Sequence, residues 1–291
     1  MKICYEHKRF SQGTLYLIEK ANEIVNEYTE QGYSLTVRQV YYQFVARDLI
    51  PNEEKWYKRI VRTISDARIA GLLDWTSIED RTRSLRSLST WDSPKDVMQS
   101  AADSYLIDMW ENQSYRVEVW IEKDALIGVI SAICNSLRVS YFSCRGYTSQ
   151  SSLWRASRRI RSYGRAGQDF VLLHLGDHDP SGIDMTRDIT DRLTLFVGEP
   201  IDVRRIALTM KQIDEHNPPP NPTKITDTRS GEYIRKWGND CWELDALNPQ
   251  VITELINKNV LDCREEDYWE VAMKKERKDT DKLLDIVNNL E

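Results

Sequence analysis

The spacing of apolar residues predicts three helices in the first part of the chain. The first covers 11–31, the second runs from an N-cap at Thr36 to about Asp48, and the third covers about 53–70. Each places apolar side chains three and four residues apart, so that one face of the helix can be buried. The third helix also carries a basic stripe, made of Lys55, Arg59 and Arg62.

Three helices with a basic third one suggest a winged helix, which presents one helix to a groove of DNA. We therefore expect a CAP-like winged-helix, DNA-binding domain over 1–95, with a polar extension that contains Arg81, Arg83 and Arg86. The alternative is an ordinary helical domain whose charged face is solvated. The apolar pattern by itself favours this alternative.

The pattern changes after a serine-rich boundary at 84–93. Short apolar strands then alternate with helices, an order that predicts an α/β fold with a parallel sheet covered by helices. The strands are expected at 117–121, 139–144 and 170–175, and the helices at 125–137, 153–163 and 183–193. This second domain covers 96–291 and ends in a helical extension. The prolines within 218–222 predict a loop, and Asn248 predicts the N-cap of a later helix.

Composition limits the possible classes of protein. The 291 residues are long for one core and favour two domains, and 41% hydrophobic and 30% charged residues are ordinary for a globular protein. No run of eighteen apolar residues predicts a membrane span, and the N-terminus lacks the apolar stretch of a signal peptide. Five scattered cysteines without Cys-x-x-Cys spacing indicate free thiols. We expect a cytoplasmic or nucleoid-associated protein.

A net charge of −6 argues weakly against a protein that coats nucleic acid, but the charge is unevenly distributed. From 155 to 165 there are five arginines and no acid. This helix is a candidate for contacts with the DNA backbone, and a solvated helix face is the alternative. The residues that we expect to contact DNA here are Arg155, Arg158 and Arg159.

Three acidic residues fall at the carboxyl ends of predicted strands. Glu122 ends the first strand, and Asp177 and Asp179 follow the third. Open parallel sheets bind ligands at this edge, and two carboxylates so close together repel each other unless they are protonated, paired or bound to a cation. Oxygen ligands with room for water suit Mg²⁺, which bridges to phosphate oxygens. The pattern predicts an Mg²⁺ site for work on phosphodiester bonds.

Other residues near these acids have open roles. A lone Asp-x-Asp is more often a loop than a metal site, and Glu122 at a second strand end makes the pattern more specific. His178 lies between the two aspartates, and we expect it to face outward. Glu243 and Asp245 either belong to the surroundings of the metal or lie on a strand that leads into the helix capped by Asn248. The second interpretation is the simpler one.

Three segments resemble the Toprim domain, in the version found in the A subunit of topoisomerase VI and in the eukaryotic protein that makes meiotic double-strand breaks. They are VWIEK at 119–123, CRGY at 144–147 and LGDHDPSG at 175–182. The resemblance implies a Rossmann-like Toprim fold in which Glu122, Asp177 and Asp179 coordinate Mg²⁺. Thr148 and Ser149 stand where the family usually has Pro-Asp, so the resemblance assigns no acidic role there.

The second predicted helix carries two adjacent tyrosines. Tyr41 lies on the apolar stripe and is expected in the core. Tyr42 lies about 100° further round the helix, off the buried face, with Arg38 one turn earlier. An exposed phenol beside a guanidinium can attack a phosphate group, because the arginine stabilises the developing charge. A surface pair without a catalytic role is the simpler interpretation of the pattern alone.

The resemblance changes that interpretation. The same family carries, before its Toprim domain, a winged helix with a segment like T-x-R-D-I-x-Y, whose last tyrosine attacks DNA and becomes joined to a 5′ end. On this chain the resemblance implies Tyr42 as the nucleophile and Arg38 as its partner, with Gln39 in place of the usual acid. It covers roughly 30–250, and the short chain resembles the reduced "Mini-A" type of mobile elements and viruses.

The function implied is Mg²⁺-dependent DNA cleavage by transesterification, in which Tyr42 and Arg38 act with the metal ligand Glu122. The resemblance also implies a homodimer in which tyrosine and metal come from different protomers. The chain has no P-loop, so a complete topoisomerase cycle would require a separate ATP-binding B subunit. Two alternatives stay open: a Toprim nuclease in which metal-activated water attacks, and a non-catalytic DNA-binding relative.

Overall fold

The computed structural model describes residues 1–79 and 88–290. Its first three helices are α1 (Gln12–Glu30), α2 (Val37–Ala46) and α3 (Glu54–Ile69). Side chains satisfy the free N–H groups at the start of two of them, since Ser11 caps α1 and Thr36 forms a capping box with Gln39 on α2. The three predicted helices are confirmed, with ends that differ by one or two residues.

These three helices pack around one apolar core. Its most buried side chains include Tyr28 of α1, Phe44 of α2 and Ile60 of α3. Within residues 1–79, the β contacts of this part are isolated bridges, such as Leu35 with Ile78, and no hairpin forms there. The polar extension with Arg81, Arg83 and Arg86 lies outside the residues that the structure describes, as does the first part of the serine-rich boundary.

A four-stranded parallel sheet forms the centre of the second part of the chain. Its strands are β1 (Tyr115–Ile121), β2 (Ser140–Ser143), β3 (Asp169–Leu175) and β4 (Asp202–Ala207). Their order is β2-β1-β3-β4, so β1 and β3 are the inner strands. The predicted α/β class and the three predicted strands are confirmed. Strand β4 was not predicted.

The remaining elements surround this sheet. They are α4 (Pro94–Asp103), α5 (Ile127–Ser136), α6 (Gln150–Arg165), α7 (Pro180–Val197), α8 (Met210–His216), the short pair β5 (Asn221–Pro222) and β6 (Asp240–Cys241), α9 (Ser230–Trp237), α10 (Pro249–Leu261) and α11 (Glu266–Asn288). The three helices predicted in this part correspond to α5, α6 and α7. Asn248 caps α10 as predicted. The loop predicted for 218–222 is wrong at its end, because residues 221 and 222 pair with β6.

Helices cover both faces of the sheet. Helices α5 and α10 pack on one face, and α6 and α7 pack on the other. Side chains of β1 alternate between the two cores, since Val119 and Ile121 point to the first and Trp120 points to the second. With both faces covered, most inward positions of the strands are apolar. The polar exceptions Glu118, His174 and Arg205 each have a hydrogen-bond partner inside the fold.

The last helix lies against the beginning of the second part of the chain. α11 packs against α4, and the carbonyl of Leu290 accepts a hydrogen bond of 3.0 Å from Lys95. The boundary predicted near residue 95 therefore falls within a helix that contacts the C-terminal end, and the division into two domains stays a prediction. None of the helices in residues 1–79 and 88–290 is long and apolar enough to cross a membrane.

Candidate active site

The three predicted acidic ligands lie at the carboxyl edge of the sheet. Glu122 follows β1, and its N–H donates to the carbonyl of Leu175 at the end of β3. Its Oε2 atom accepts a hydrogen bond of 2.8 Å from the N–H of Asp177, so the two inner strands hold these carboxylates together. Gly176 permits this approach, because a Cβ atom there would lie 3.0 Å from Glu122 Oε2.

The two aspartates face different partners. β3 ends at Leu175 and α7 begins at Pro180, so Asp177 and Asp179 lie in a turn and not on one face of an extended strand. Asp179 caps α7, since its Oδ1 accepts hydrogen bonds of 2.6 Å from Gly182 N and 3.0 Å from Ser181 Oγ. Asp177 turns away from this cap toward residues much later in the chain.

A later segment brings two further acids to the same edge. Residues 242–245 run antiparallel to the Asp-x-Asp turn, where His178 and Trp242 exchange two backbone hydrogen bonds of 2.8 and 2.9 Å. Asp177 Oδ1 then accepts a hydrogen bond of 2.8 Å from Leu244 N. This contact brings Glu243 and Asp245 to the site. The interpretation of this segment as a strand is wrong, because β6 ends at Cys241 and a 3-10 turn at Leu244–Ala246 precedes the helix capped by Asn248. A place for Glu243 and Asp245 in the surroundings of a metal stays a prediction.

Lys123 lies among these acids. Its Nζ atom is 2.9 Å from Asp177 Oδ2, 2.8 Å from Glu243 Oε2 and 3.5 Å from Asp245 Oδ2. Burial alone lowers the pKa of Lys123, but the charges of Asp245, Asp177 and Glu243 outweigh it and raise the pKa above its ordinary value. Lys123 is therefore a permanent cation at the centre of the site.

Arg205 of β4 holds the backbone of the turn. Its guanidinium donates to the carbonyls of Gly176, Asp177 and Gly182, and to the Thr186 hydroxyl at 2.9 Å. Burial lowers its pKa to about 10, which still leaves it charged at neutral pH. Sequence reasoning missed this residue because β4 was not predicted.

Tyr42 reaches the same site from the N-terminal helices. The predicted exposure of Tyr42 is wrong, since only 4% of it is exposed. The face of α2 that the helix pattern assigned to solvent is covered by a turn of 3-10 helix at Leu244–Ala246. Burial, followed by the negative charge of Glu243, raises the pKa of Tyr42 above its ordinary value. The hydroxyl is therefore protonated at neutral pH in this arrangement.

Arg38 connects the tyrosine to the acids. Its guanidinium carbon lies 5.8 Å from the centre of the Tyr42 ring, as the helical spacing predicted. The guanidinium also pairs with Glu243, and its Nε is 3.2 Å from Asp245 Oδ2. Tyr41 occupies the predicted core position, where its hydroxyl donates to Asn52 Oδ1 at 2.9 Å. The structure thus brings both members of the predicted Tyr–Arg pair to the acidic edge.

Comparison with protein-family models, curated proteins and solved structures gives no match for this chain. The assignment of a function therefore depends on the geometry of this site and on the sequence motifs.

The charges of the site are suited to a bound cation. Burial, followed by the charge of Asp177, raises the pKa of Glu122, and burial likewise raises the pKa of Asp177. Five carboxylates, from Glu122, Asp177, Asp179, Glu243 and Asp245, face three basic side chains, from Arg38, Lys123 and Arg205. The excess of negative charge and the hard oxygen donors fit one divalent ion such as Mg²⁺.

The ligands do not converge in advance of a metal ion. Across the two described ranges, no three His, Cys, Asp or Glu side chains are grouped so that they could hold an ion together. The physical reason is the competition at Asp177, whose Oδ2 faces Lys123 rather than Glu122 and Asp179. Binding of Mg²⁺ to the three predicted ligands therefore requires a reorientation of this carboxylate.

His178 differs from its prediction. It does not face outward, because Trp242, Tyr233 and Trp237 enclose its ring and leave only 2% exposed. Its Nδ1 lies 2.7 Å from the Tyr233 hydroxyl, and burial lowers its pKa to about 4. His178 is thus a neutral residue that fixes the backbone between the two aspartates.

The candidate DNA contacts lie on two exposed helix faces. On α3, Lys55 pairs with Glu53 and Arg62 is exposed near Asp66. Arg59 lies over the ring of Trp56, at 4.8 Å. These contacts leave the stripe on the surface, where it can meet a phosphate backbone.

On α6 the three arginines are not equivalent. Arg155 is exposed, and Arg158 lies over the exposed ring of Trp154 at 5.2 Å. Arg159 instead donates two hydrogen bonds of 3.0 Å to Glu118, a carboxylate that is 2% exposed. Arg159 therefore also neutralises a buried acid, and its contact with DNA stays a prediction.

Proposed function

We propose that this protein is an Mg²⁺-dependent DNA-cleaving enzyme related in type to the A subunit of topoisomerase VI, with Tyr42 as nucleophile. One observation carries the proposal. Arg38 and Tyr42 of α2 lie next to Lys123 and Glu243 at the carboxyl edge of the sheet, where Asp177 and Glu122 also lie. A buried phenol among so many charged groups is unfavourable for folding, and such groups cluster at functional sites.

The residues have separate roles in this reaction. Glu122, Asp177 and Asp179 would hold Mg²⁺, which neutralises charge on the phosphate oxygens when bound. Arg38 orients the phosphate beside Tyr42. The phenolic oxygen attacks phosphorus and gives up its proton, while the bond to the 3′ oxygen breaks and that oxygen takes up a proton to leave as a hydroxyl. The product is a 5′-phosphotyrosyl link that retains the energy of the broken bond for religation. Exposed Lys55, Arg62 and Arg155 would hold the DNA backbone.

Burial of Tyr42 favours a second candidate function. With 4% of its surface exposed, the tyrosine is shielded from a phosphodiester unless α2 separates from residues 242–246. A nuclease that uses water activated by the metal needs no such separation. In that case Arg38 would only neutralise Glu243, and Tyr42 would only pack against Arg38.

The resemblance also supports a winged-helix assignment for the first domain, a homodimer and a separate ATP-binding B subunit. The geometry adds one difference from the family. Tyr42 lies beside the acids of its own chain, whereas the resemblance implies a tyrosine and a metal from different protomers. We therefore propose that each chain carries a complete site.

A cleavage assay separates the two candidates. The protein is incubated with supercoiled DNA and Mg²⁺, the reaction is stopped with denaturant, and protein covalently joined to 5′ ends is measured. We expect attachment with the native chain and with Tyr41→Phe, the matched control, and none with Tyr42→Phe. Attachment that survives Tyr42→Phe would exclude Tyr42 as the nucleophile. Cleaved ends without attachment would establish hydrolysis instead.

A further inference from the structure

Lys123 and its three carboxylates form a compact group that we call the lysine cluster. It consists of Lys123, Asp177, Glu243 and Asp245, with Nζ–oxygen distances between 2.8 and 3.5 Å. The ammonium group thus occupies a position enclosed by oxygen ligands from two separate segments of the chain. Side chains of this type, in this number, surround a divalent ion in many proteins.

Asp245 distinguishes the cluster from an ordinary salt bridge. Its side chain is 1% exposed, and neither carboxylate oxygen receives a hydrogen bond of acceptable geometry. Its contacts are purely electrostatic, with Arg38 Nε at 3.2 Å and Lys123 Nζ at 3.5 Å. A buried carboxylate is normally hydrogen-bonded, and one that is not is suited to a cation as its partner.

We infer that the ammonium group of Lys123 is a built-in cation that takes the place of a second divalent ion, so that the site accepts a single exchangeable Mg²⁺. This inference rests on the proposed function, because the exchangeable ion is the one held by Glu122, Asp177 and Asp179. Asp177 belongs to both groups of ligands. A second divalent ion at the cluster would lie next to the ammonium and be repelled by it.

Lys123 is therefore a positioning residue. In sites with two metal ions, one ion stabilises the attacking oxygen and the other stabilises the leaving oxygen. Here the second positive charge is covalently attached, next to Tyr42, and cannot be removed by a chelator. Removal of Lys123 by mutation leaves three carboxylates without their central cation. Among the described residues no such group is arranged to hold an ion as it stands, so a divalent ion would replace the ammonium by drawing these carboxylates together.

Counting bound ions tests the inference. Mn²⁺ serves as a paramagnetic probe in place of Mg²⁺, and the number of ions per full chain is measured without DNA by electron paramagnetic resonance and calorimetry. We expect one Mn²⁺ in the native chain and two in Lys123→Ala. The double variant Lys123→Ala, Asp245→Asn, which removes one cation and one acid, should again bind one Mn²⁺ per chain.

Each result decides a different claim. Two ions in the native chain, or one in a folded Lys123→Ala chain, would overturn the inference and leave the proposed function intact. No ion in the native chain would refute the metal site itself, and with it the proposed function.

A second variant keeps the test valid if Lys123→Ala does not fold. In Asp245→Asn the lysine remains, so we expect one Mn²⁺ with little change in affinity. In Asp177→Asn, which alters a ligand of the exchangeable ion, affinity should fall roughly tenfold or more. A loss of that size in Asp245→Asn would mean that Asp245 binds an exchangeable ion, and the inference would be wrong.

Discussion

His174 lies on β3, three residues before Asp177, and none of its surface is exposed. Its Nδ1 is 2.8 Å from the hydroxyl of Thr186, which also accepts a hydrogen bond from Arg205. The Thr186 hydroxyl still has its own proton and can donate it to Nδ1 of a neutral imidazole. Burial, with a smaller contribution from the charge of Arg205, lowers the pKa of His174 to about 3. Acidification should consequently destabilise the folded protein through this side chain.

The size of the effect follows from the difference in pKa between the two states. An unfolded chain protonates the histidine near its ordinary pKa of 6.5, whereas the folded chain does so only near 3. The unfolded state thus binds more protons between these values, and stability present at pH 7 is lost as the pH falls through this window. At about 1.4 kcal/mol per pH unit, lowering the pH from 7 to 5 costs about 2 kcal/mol, or roughly 4 °C in Tm.

The comparison that tests this is His174→Asn, which keeps an acceptor for Thr186 and does not titrate. Thermal unfolding is followed between pH 7 and pH 5 in buffer without Mg²⁺, for both chains. Because the raised pKa values of Glu122 and Asp177 act equally in both, the difference between the two pH slopes reports His174 alone. We expect the native chain to lose about 2 kcal/mol more than the variant. Equal slopes would refute the reasoning.

Four further predictions concern the site. Gly176→Ala places a Cβ atom 3.0 Å from Glu122 Oε2, so Mg²⁺ affinity, measured by calorimetry, should fall roughly tenfold while the fold persists; unchanged affinity would place the ion elsewhere. Arg205→Met leaves buried carbonyls without a donor and should cost about 3–5 kcal/mol in unfolding free energy, and a loss under about 1 kcal/mol would contradict this. Because the pKa of Glu122 is raised, Mg²⁺ must displace a proton, and its stabilising effect on Tm should be larger at pH 8 than at pH 6. This difference should be smaller in Glu122→Gln, where only the raised pKa of Asp177 remains, and an undiminished difference would contradict the role of Glu122. If each chain carries its own site, as proposed, mixing Tyr42→Phe chains with Glu122→Gln chains should not restore DNA cleavage; recovery would place the sites across protomers.

Local patterns were sufficient for most of the fold. Helical spacing identified α1 to α3, and apolar runs identified β1 to β3, because each burial pattern is set within a few residues. The same strand order located Glu122 and Asp177 at one edge, since parallel strands end on the same side. Strand β4 was not predicted because two adjacent arginines interrupt its apolar pattern. One of them, Arg205, is buried and donates hydrogen bonds to the backbone of the turn.

Contacts between distant segments could not be predicted from local patterns. A helical wheel shows which residues share a face with Tyr42, but not that the 3-10 turn at Leu244–Ala246 covers it. For the same reason the sequence assigned no role to Lys123. Its role follows from the structure, in which Glu243 lies 2.8 Å from its Nζ atom. The sequence predicted the acidic residues of this edge, whereas the basic side chains that face them could be identified only from the tertiary packing.

The segment 242–245 links α2 to the acidic edge through contacts described above. The carboxylate of Glu243 pairs with Arg38, and the N–H of Leu244 donates to Asp177. If DNA displaces α2 from this segment, the restraint on Asp177 changes at the same moment. Such a link is thermodynamic and reciprocal: any factor by which DNA alters the affinity for Mg²⁺ must equal the factor by which Mg²⁺ alters the affinity for DNA. DNA bound against α2 would then change the affinity of the proposed Mg²⁺ site, which the chain would carry with or without DNA.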